Sequence, residues 1–158
     1  MRYEEQVPLP AWFQLILLAG LAGIAFAIVG PAFSGLDGAG TYAVYYSTMT
    51  VALAFMVFAV VTFRRLTIAV SDTEVRFGFG VLRKSIPLER IRAWEPKRYN
   101  WLVYGGWGIR FALGGRRAWS VPGMAGGVEL TVAEGTRVRR YFVSSRCPER
   151  LAEAVEGR

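Results

Sequence analysis

The chain of 158 residues holds 19 Lys and Arg against 12 Asp and Glu, no His and one Cys. Without His there is no Ser-His-Asp triad, no His-ligated metal and no imidazole base, and a single Cys allows neither an intramolecular disulfide nor a thiolate cluster. The net charge of +7 is unevenly spread: residues 1–63 carry one basic side chain against three acidic ones, and residues 64–158 carry eighteen against nine.

Residues 1–10, MRYEEQVPLP, are polar and end in two prolines, which reads as an extended lead into a helix. Two apolar runs follow, residues 11–33 and 44–63, neither with a formally charged side chain. Each is about the ~20 residues a helix needs to cross the hydrocarbon core of a bilayer. A cleaved signal peptide fits poorly, because Glu4 and Glu5 occupy its n-region and the apolar stretch is longer than the usual h-region. Two buried helices of a soluble protein would need a sheet to cover them, and the remaining residues are too polar for that. In the first run Ala19, Gly23 and Ala27 recur every four residues. That spacing gathers small side chains on one helix face, where the other span or another copy of the chain can approach closely.

The link SGLDGAGTYA is Gly-rich, lacks Lys and Arg, and reads as a tight extramembrane turn. Tyr42, Tyr45, Tyr46 and Trp12 fall where an interfacial aromatic belt would lie. Arg64, Arg65, Arg76, Arg83 and Lys84 follow the second run closely, so the positive-inside rule turns the link outward and both termini to the cytoplasm. The expected organisation is a transmembrane hairpin over residues 1–63 and a cytoplasmic domain over 64–158, in a multi-pass protein of the plasma membrane.

From Leu66 the apolar period changes to two. LTIAVS and EVRFGFG alternate as strands with one buried face, and VLRKSIPL is a third strand limited by Pro87. IRAWEPKRY reads as a fourth strand. YNWLVYGGWG, residues 99–108, gathers four aromatics around a Gly-Gly break; it is core beneath a sheet, a segment dipping Trp101-Leu102-Val103 into the bilayer interface, or a docking loop. GIRFAL and RAWSVPG pair across Gly114-Gly115 in a turn of the primed type, and GVELTVA pairs with VRRYFVSS across Glu134-Gly135. CPERLAEAVEG closes the chain as a helix with Cys147 at the N-cap, Pro148 at N1, and Leu151, Ala154 and Val155 as its apolar stripe. The soluble part is thus seven to eight short antiparallel strands, a bent sheet or partly open barrel, capped by one C-terminal helix.

Two spans, then strands, then one capping helix is the order of the bacterial pleckstrin-homology-like (PH-like) domain family, which this chain resembles. The resemblance is carried by Leu66-Thr67-Ile68, by Val75-Arg76-Phe77-Gly78-Phe79-Gly80, by Ser85-Ile86-Pro87-Leu88-Glu89-Arg90-Ile91, and by Tyr141-Phe142-Val143-Ser144-Ser145 followed by Pro148-Glu149-Arg150-Leu151. Tyr104-Gly105-Gly106-Trp107-Gly108-Ile109-Arg110 looks like a motif of one subgroup of short members. The resemblance implies a mainly-β fold over roughly residues 64–156 and transfers no catalytic residue.

The basic set Arg64, Arg65, Arg83, Lys84, Arg90, Arg92, Lys97 and Arg98, with Trp101, is the candidate surface toward phospholipid headgroups. Arg83 and Lys84 are adjacent on a strand, so only one of them can face any given surface. Gly105-Gly106 and Gly108 are no dinucleotide fingerprint, because no helix of a βαβ unit follows them. Cys147 has Arg146 and Arg150 nearby, but no base and no oxyanion site accompany it. The expectation is a non-enzymatic scaffold or interaction module at the cytoplasmic leaflet, or alternatively a sensor of anionic phospholipid. A protein partner or homo-oligomer fits the first; no cofactor, metal, nucleic acid or small-molecule substrate is expected.

Overall fold

The computed structural model describes residues 2–31, 35 and 38–157. The chain divides into two compact units, Ala11–Phe63 and Met1–Pro10 together with Arg64–Arg158. The N-terminal decapeptide therefore belongs to the β-rich unit rather than to the helices.

The helical unit consists of α1 (Ala11–Val29) and α2 (Ala39–Thr62), both long and apolar enough to cross a membrane. Part of the Gly-rich link, and the end of the first predicted span at Phe33, lie outside the described residues. The second helix begins five residues before the predicted Val44, and this extra turn stacks Tyr42 on Tyr46 with ring centroids 6.2 Å apart. The helices approach at Gly20, where a Cβ would lie 3.1 Å from the Met56 Cε. Seven residues on, the Ala27 carbonyl accepts the Tyr45 hydroxyl. Ala19 and Gly23 turn elsewhere: both are exposed, and nothing lies within 4 Å of a Cβ built on Gly23. Ala27 thus meets the neighbouring helix through its backbone carbonyl, and Gly23 faces open space. Gly20 and Ala27 stand two turns apart on one face, whereas a four-residue step drifts away from it.

The β unit contains two sheets that are not closed into a barrel. The first sheet is an antiparallel meander of β2 (Arg65–Val70), β3 (Glu74–Phe79) and β4 (Leu82–Pro87), as the period-two pattern predicts. To its edge is added β1 (Tyr3–Pro8), the segment read as a mere lead-in, with Tyr3 opposite Val70 and Val7 opposite Leu66. Only Val7 of this strand is apolar and buried, so the alternation is hidden in the sequence. Its inward Glu5 is satisfied instead by hydrogen bonds donated from Ser145 Oγ (2.6 Å), the Arg146 N–H (2.8 Å) and the Tyr3 hydroxyl (2.7 Å). Burial pushes the Tyr3 hydroxyl pKa up to about 12.

The second sheet has the order β5-β8-β9-β7-β6, from β5 (Ile91–Arg98), β6 (Gly108–Ala112), β7 (Arg116–Ser120), β8 (Gly126–Glu134) and β9 (Arg137–Ser144). Here the all-antiparallel expectation is corrected: β7 and β9 pair in parallel, Arg116 opposite Arg140 and Arg117 opposite Tyr141. The β7–β8 connection turns the chain back, and β9 then inserts between the two strands, so β9 runs in the direction of β7. The two glycines of the β6–β7 turn, Gly114 and Gly115, both have φ of 74°, as a primed turn requires.

The core lies between the sheets. Phe77 of the first sheet meets Trp119 and Tyr141 of the second at ring-centroid distances of 5.0 and 6.2 Å. One end is closed by α4 (Pro148–Glu156), whose Leu151 and Val155 pack on Ile68, Val75, Val128, Leu130 and Val143. Each such burial removes an aliphatic side chain from water, worth about 1.5–3 kcal/mol. Cys147 does occupy the N-cap position, but its side chain makes no capping bond. Its own N–H instead donates to Ser145 Oγ at 3.1 Å.

Candidate interaction surfaces

The predicted basic residues do not form one face. Arg83 and Lys84 lie on the edge strand β4 and point to opposite sides, as adjacency requires. Arg83 is exposed and donates to the Gly80 carbonyl at 2.7 Å. Lys84 points between the sheets, 3.5 Å from Glu134 and 5.8 Å from the Tyr141 ring centroid, so much of its charge is committed. Arg65 donates to the Gln6 side chain at 2.7 Å, and Arg64 is exposed beside it in sequence. Arg90, Arg92 and Arg98 are exposed, with no ion pair among the described residues. Lys97 bridges Glu129 at 2.7 Å and Glu95 at 3.0 Å; the Glu129 hydrogen bond is the main cause of its raised pKa.

The aromatic segment separates into two packed tyrosines and an exposed tip. Tyr99 and Tyr104 pack under the sheet's outer face, stacked on each other at 5.2 Å and set against Phe142 and Ala118. Between them a single turn, α3 (Trp101–Tyr104), is nucleated by Asn100, whose side chain accepts the N–H groups of Leu102 and Val103. Gly105, at φ 70°, ends it in the left-handed conformation. The Tyr104 hydroxyl donates to Glu129 at 3.1 Å, and the Glu129 carboxylate is nearly buried while also gripping Lys97. Burial beside that carboxylate holds the Tyr104 hydroxyl well above the ordinary phenol pKa. This polar seat is why the turn keeps its place. It presents Trp101, Leu102 and Val103 to the outside, with 54, 72 and 40 % of their surface exposed. Trp107 stacks beside Trp101 at 6.3 Å.

A second basic cluster is not among the residues singled out from sequence. Arg116 and Arg117 open β7 directly after the β6–β7 turn, and Arg137, Arg139 and Arg140 open β9. The parallel β7–β9 pairing brings both groups to one end of the sheet. Four of these arginines line a cleft of about 450 Å³. A sequence signal existed in two Arg-rich runs, each next to a Gly turn, but nothing in the sequence pairs β7 with β9. Among the described residues no group of three or more His, Cys, Asp or Glu is placed to hold a metal ion. Comparison with family models, with curated proteins and with solved structures gives no match.

Proposed function

We propose that this chain is a non-enzymatic, membrane-anchored PH-like interaction module that assembles with a protein partner or with further copies of itself. Its two helices would cross the plasma membrane, with both termini and the β unit on the cytoplasmic side. The apolar exposure of the helices supports the anchor: Phe26 and Val51 leave 79 and 70 % of their surface open, which favours hydrocarbon over water. The Arg and Lys after α2, against none in the link, support the orientation. Strands in two sheets closed by a terminal helix support the PH-like reading, while the added β1 and the parallel β7–β9 pair depart from its plain antiparallel pattern.

The observation that carries the interaction reading is the turn Trp101–Tyr104. An exposed Trp-Leu-Val tip costs solubility when left bare, and here a nearly buried Glu129–Lys97–Tyr104 network holds it in one position. The test is the mass of full-length protein in a mild non-ionic detergent, corrected for bound detergent. A particle heavier than one chain is expected, and the doubly charged variant W101D/L102D should shift it toward one chain. A strictly monomeric, partnerless wild type overturns the reading.

The alternative, sensing of anionic phospholipid through a basic face, is favoured by the exposed Arg90, Arg92 and Arg98, which have no carboxylate partner among the described residues. It predicts a salt-sensitive preference of the full chain for co-purified anionic over zwitterionic lipid. Equal retention of both excludes it.

A further inference from the structure

We propose that the cleft between the β6–β7 turn and the start of β9 binds an anion bearing a phosphate group. This goes beyond the assembly reading and does not depend on it.

The lining contains Arg116, Arg117, Arg137 and Arg139 and no carboxylate; Arg117, Arg137 and Arg139 share the face of Tyr141, while Arg116, one residue out of step on β7, turns its side chain to the other side. Of the four, only Arg139 has an ion pair among the described residues, 2.8 Å to Glu134 just outside the cleft. That carboxylate is already shared: it also accepts the Tyr141 hydroxyl and faces Lys84 at 3.5 Å. The Tyr141 hydrogen bond, with help from the two cations, holds the Glu134 carboxyl below the usual range. One neighbouring carboxylate thus serves a group of cations it cannot neutralise.

The cluster is also built rather than merely exposed. Arg117 lies over two rings, 5.1 Å from the Phe111 centroid and 5.7 Å from that of Tyr141. Stacking of this kind fixes a guanidinium and leaves its edge donors free. The turn closes against β9, since a Cβ on Gly115 would lie 3.4 Å from the Val138 carbonyl. The β7–β9 pairing sets Arg117 opposite Tyr141, and Arg137 and Arg139 follow the same alternation as Tyr141, so Arg117, Arg137 and Arg139 are held on one face. Crowding like charges is unfavourable without a counter-charge. Planar forks that converge on a concavity suit the oxygens of a phosphate, to which they donate in pairs. About 450 Å³ leaves room for the group and the first atoms attached to it.

Such a phosphate can come from a soluble molecule or from a lipid headgroup, and one experiment separates them. Full-length protein in a non-ionic detergent is examined by native mass spectrometry with two probes, inorganic pyrophosphate and phosphatidic acid, and with phosphatidylcholine as the neutral comparison. A saturable one-to-one adduct is expected with at least one probe and not with phosphatidylcholine. Pyrophosphate binding points to a soluble ligand, and phosphatidic acid alone to a headgroup. The variant R117Q/R137Q should weaken the adduct by about tenfold or more, the effect of losing charge-assisted hydrogen bonds. Its melting temperature should stay close to wild type, because neither side chain has an ion pair to lose. The control R90Q/R92Q removes the same charge elsewhere and should leave the adduct intact. Absence of any adduct, or equal weakening by the two variants, overturns the proposal.

Discussion

On β8, Val128, Leu130 and Val132 point between the two sheets, while Gly127, Glu129 and Thr131, one residue out of step, point to the other side. The inner series meets Trp119, Tyr141 and Val143 and is closed by Phe77 and the terminal helix. The outer series meets Phe142, Ala118 and Tyr104, with Lys97, Arg98, Arg116 and Arg140 at its margin. The same strands thus hold the fold together on one face and carry a polar, aromatic and cationic surface on the other. A period of two lets these requirements be met independently, because a change at one residue leaves its neighbours' side untouched.

Mutations on the two faces should therefore differ in kind. The largest loss is expected from Phe77→Ala, which empties the contact between the sheets and should cost about 3–5 kcal/mol in denaturant unfolding. Next comes Gly127→Ala on the outer face: its Cβ would stand 2.4 Å from the Val143 carbonyl and 2.5 Å from the Phe142 ring. Backbone cannot yield easily there, so a loss of about 3 kcal/mol is expected by the same measurement. An unchanged midpoint would show that the outer face has slack which the packing denies. Glu129→Ala leaves the Tyr104 hydroxyl without its acceptor, a cost of about 1–3 kcal/mol, and should free the turn Trp101–Tyr104 to faster amide exchange. Exchange confined to other regions would break the link between the seat and the turn.

Glu134 gives a pH signature. Its folded pKa is depressed from 4.5, so its contribution is present above that value and is lost as the pH falls through the lower folded value. The melting temperature should fall as the pH drops below 4.5, and Glu134→Gln should flatten that fall. Parallel curves would remove Glu134 from the account. The smallest effect is expected from Trp101→Ala, within about 0.5 kcal/mol of wild type, because its side chain is exposed. A large loss would move Trp101 from the surface into the fold.

The limits of reading this chain follow from the same geometry. Strands β2 to β4 and β8 to β9 were legible, because Leu66, Ile68, Val70, Val75 and Phe77 alternate in plain view. The terminal helix was legible from Cys147-Pro148 and its apolar stripe, with Ala152 rather than Ala154 buried beside Leu151 and Val155. Strand β1 was not, because its inward Glu5 looks like a surface residue until Ser145 and Arg146 arrive from the far end of the chain. The predicted basic surface mixed residues from separate places: Lys84 between the sheets, Lys97 bound to Glu129, and Arg90 in the open.

By itself the sequence determined two apolar helices without charge, a β-rich remainder, a closing helix and the absence of imidazole chemistry. All of these rest on composition and local period, which each segment carries alone. Only the tertiary structure decided that Tyr3–Pro8 joins the sheets, that Trp101–Tyr104 is seated on a nearly buried carboxylate, and that Arg117 comes to share a cleft with Arg137 and Arg139. Each of these depends on a partner distant in the sequence, and β7 pairs with β9 only because β9 enters the sheet after β8 has turned back. No local pattern encodes that order of insertion.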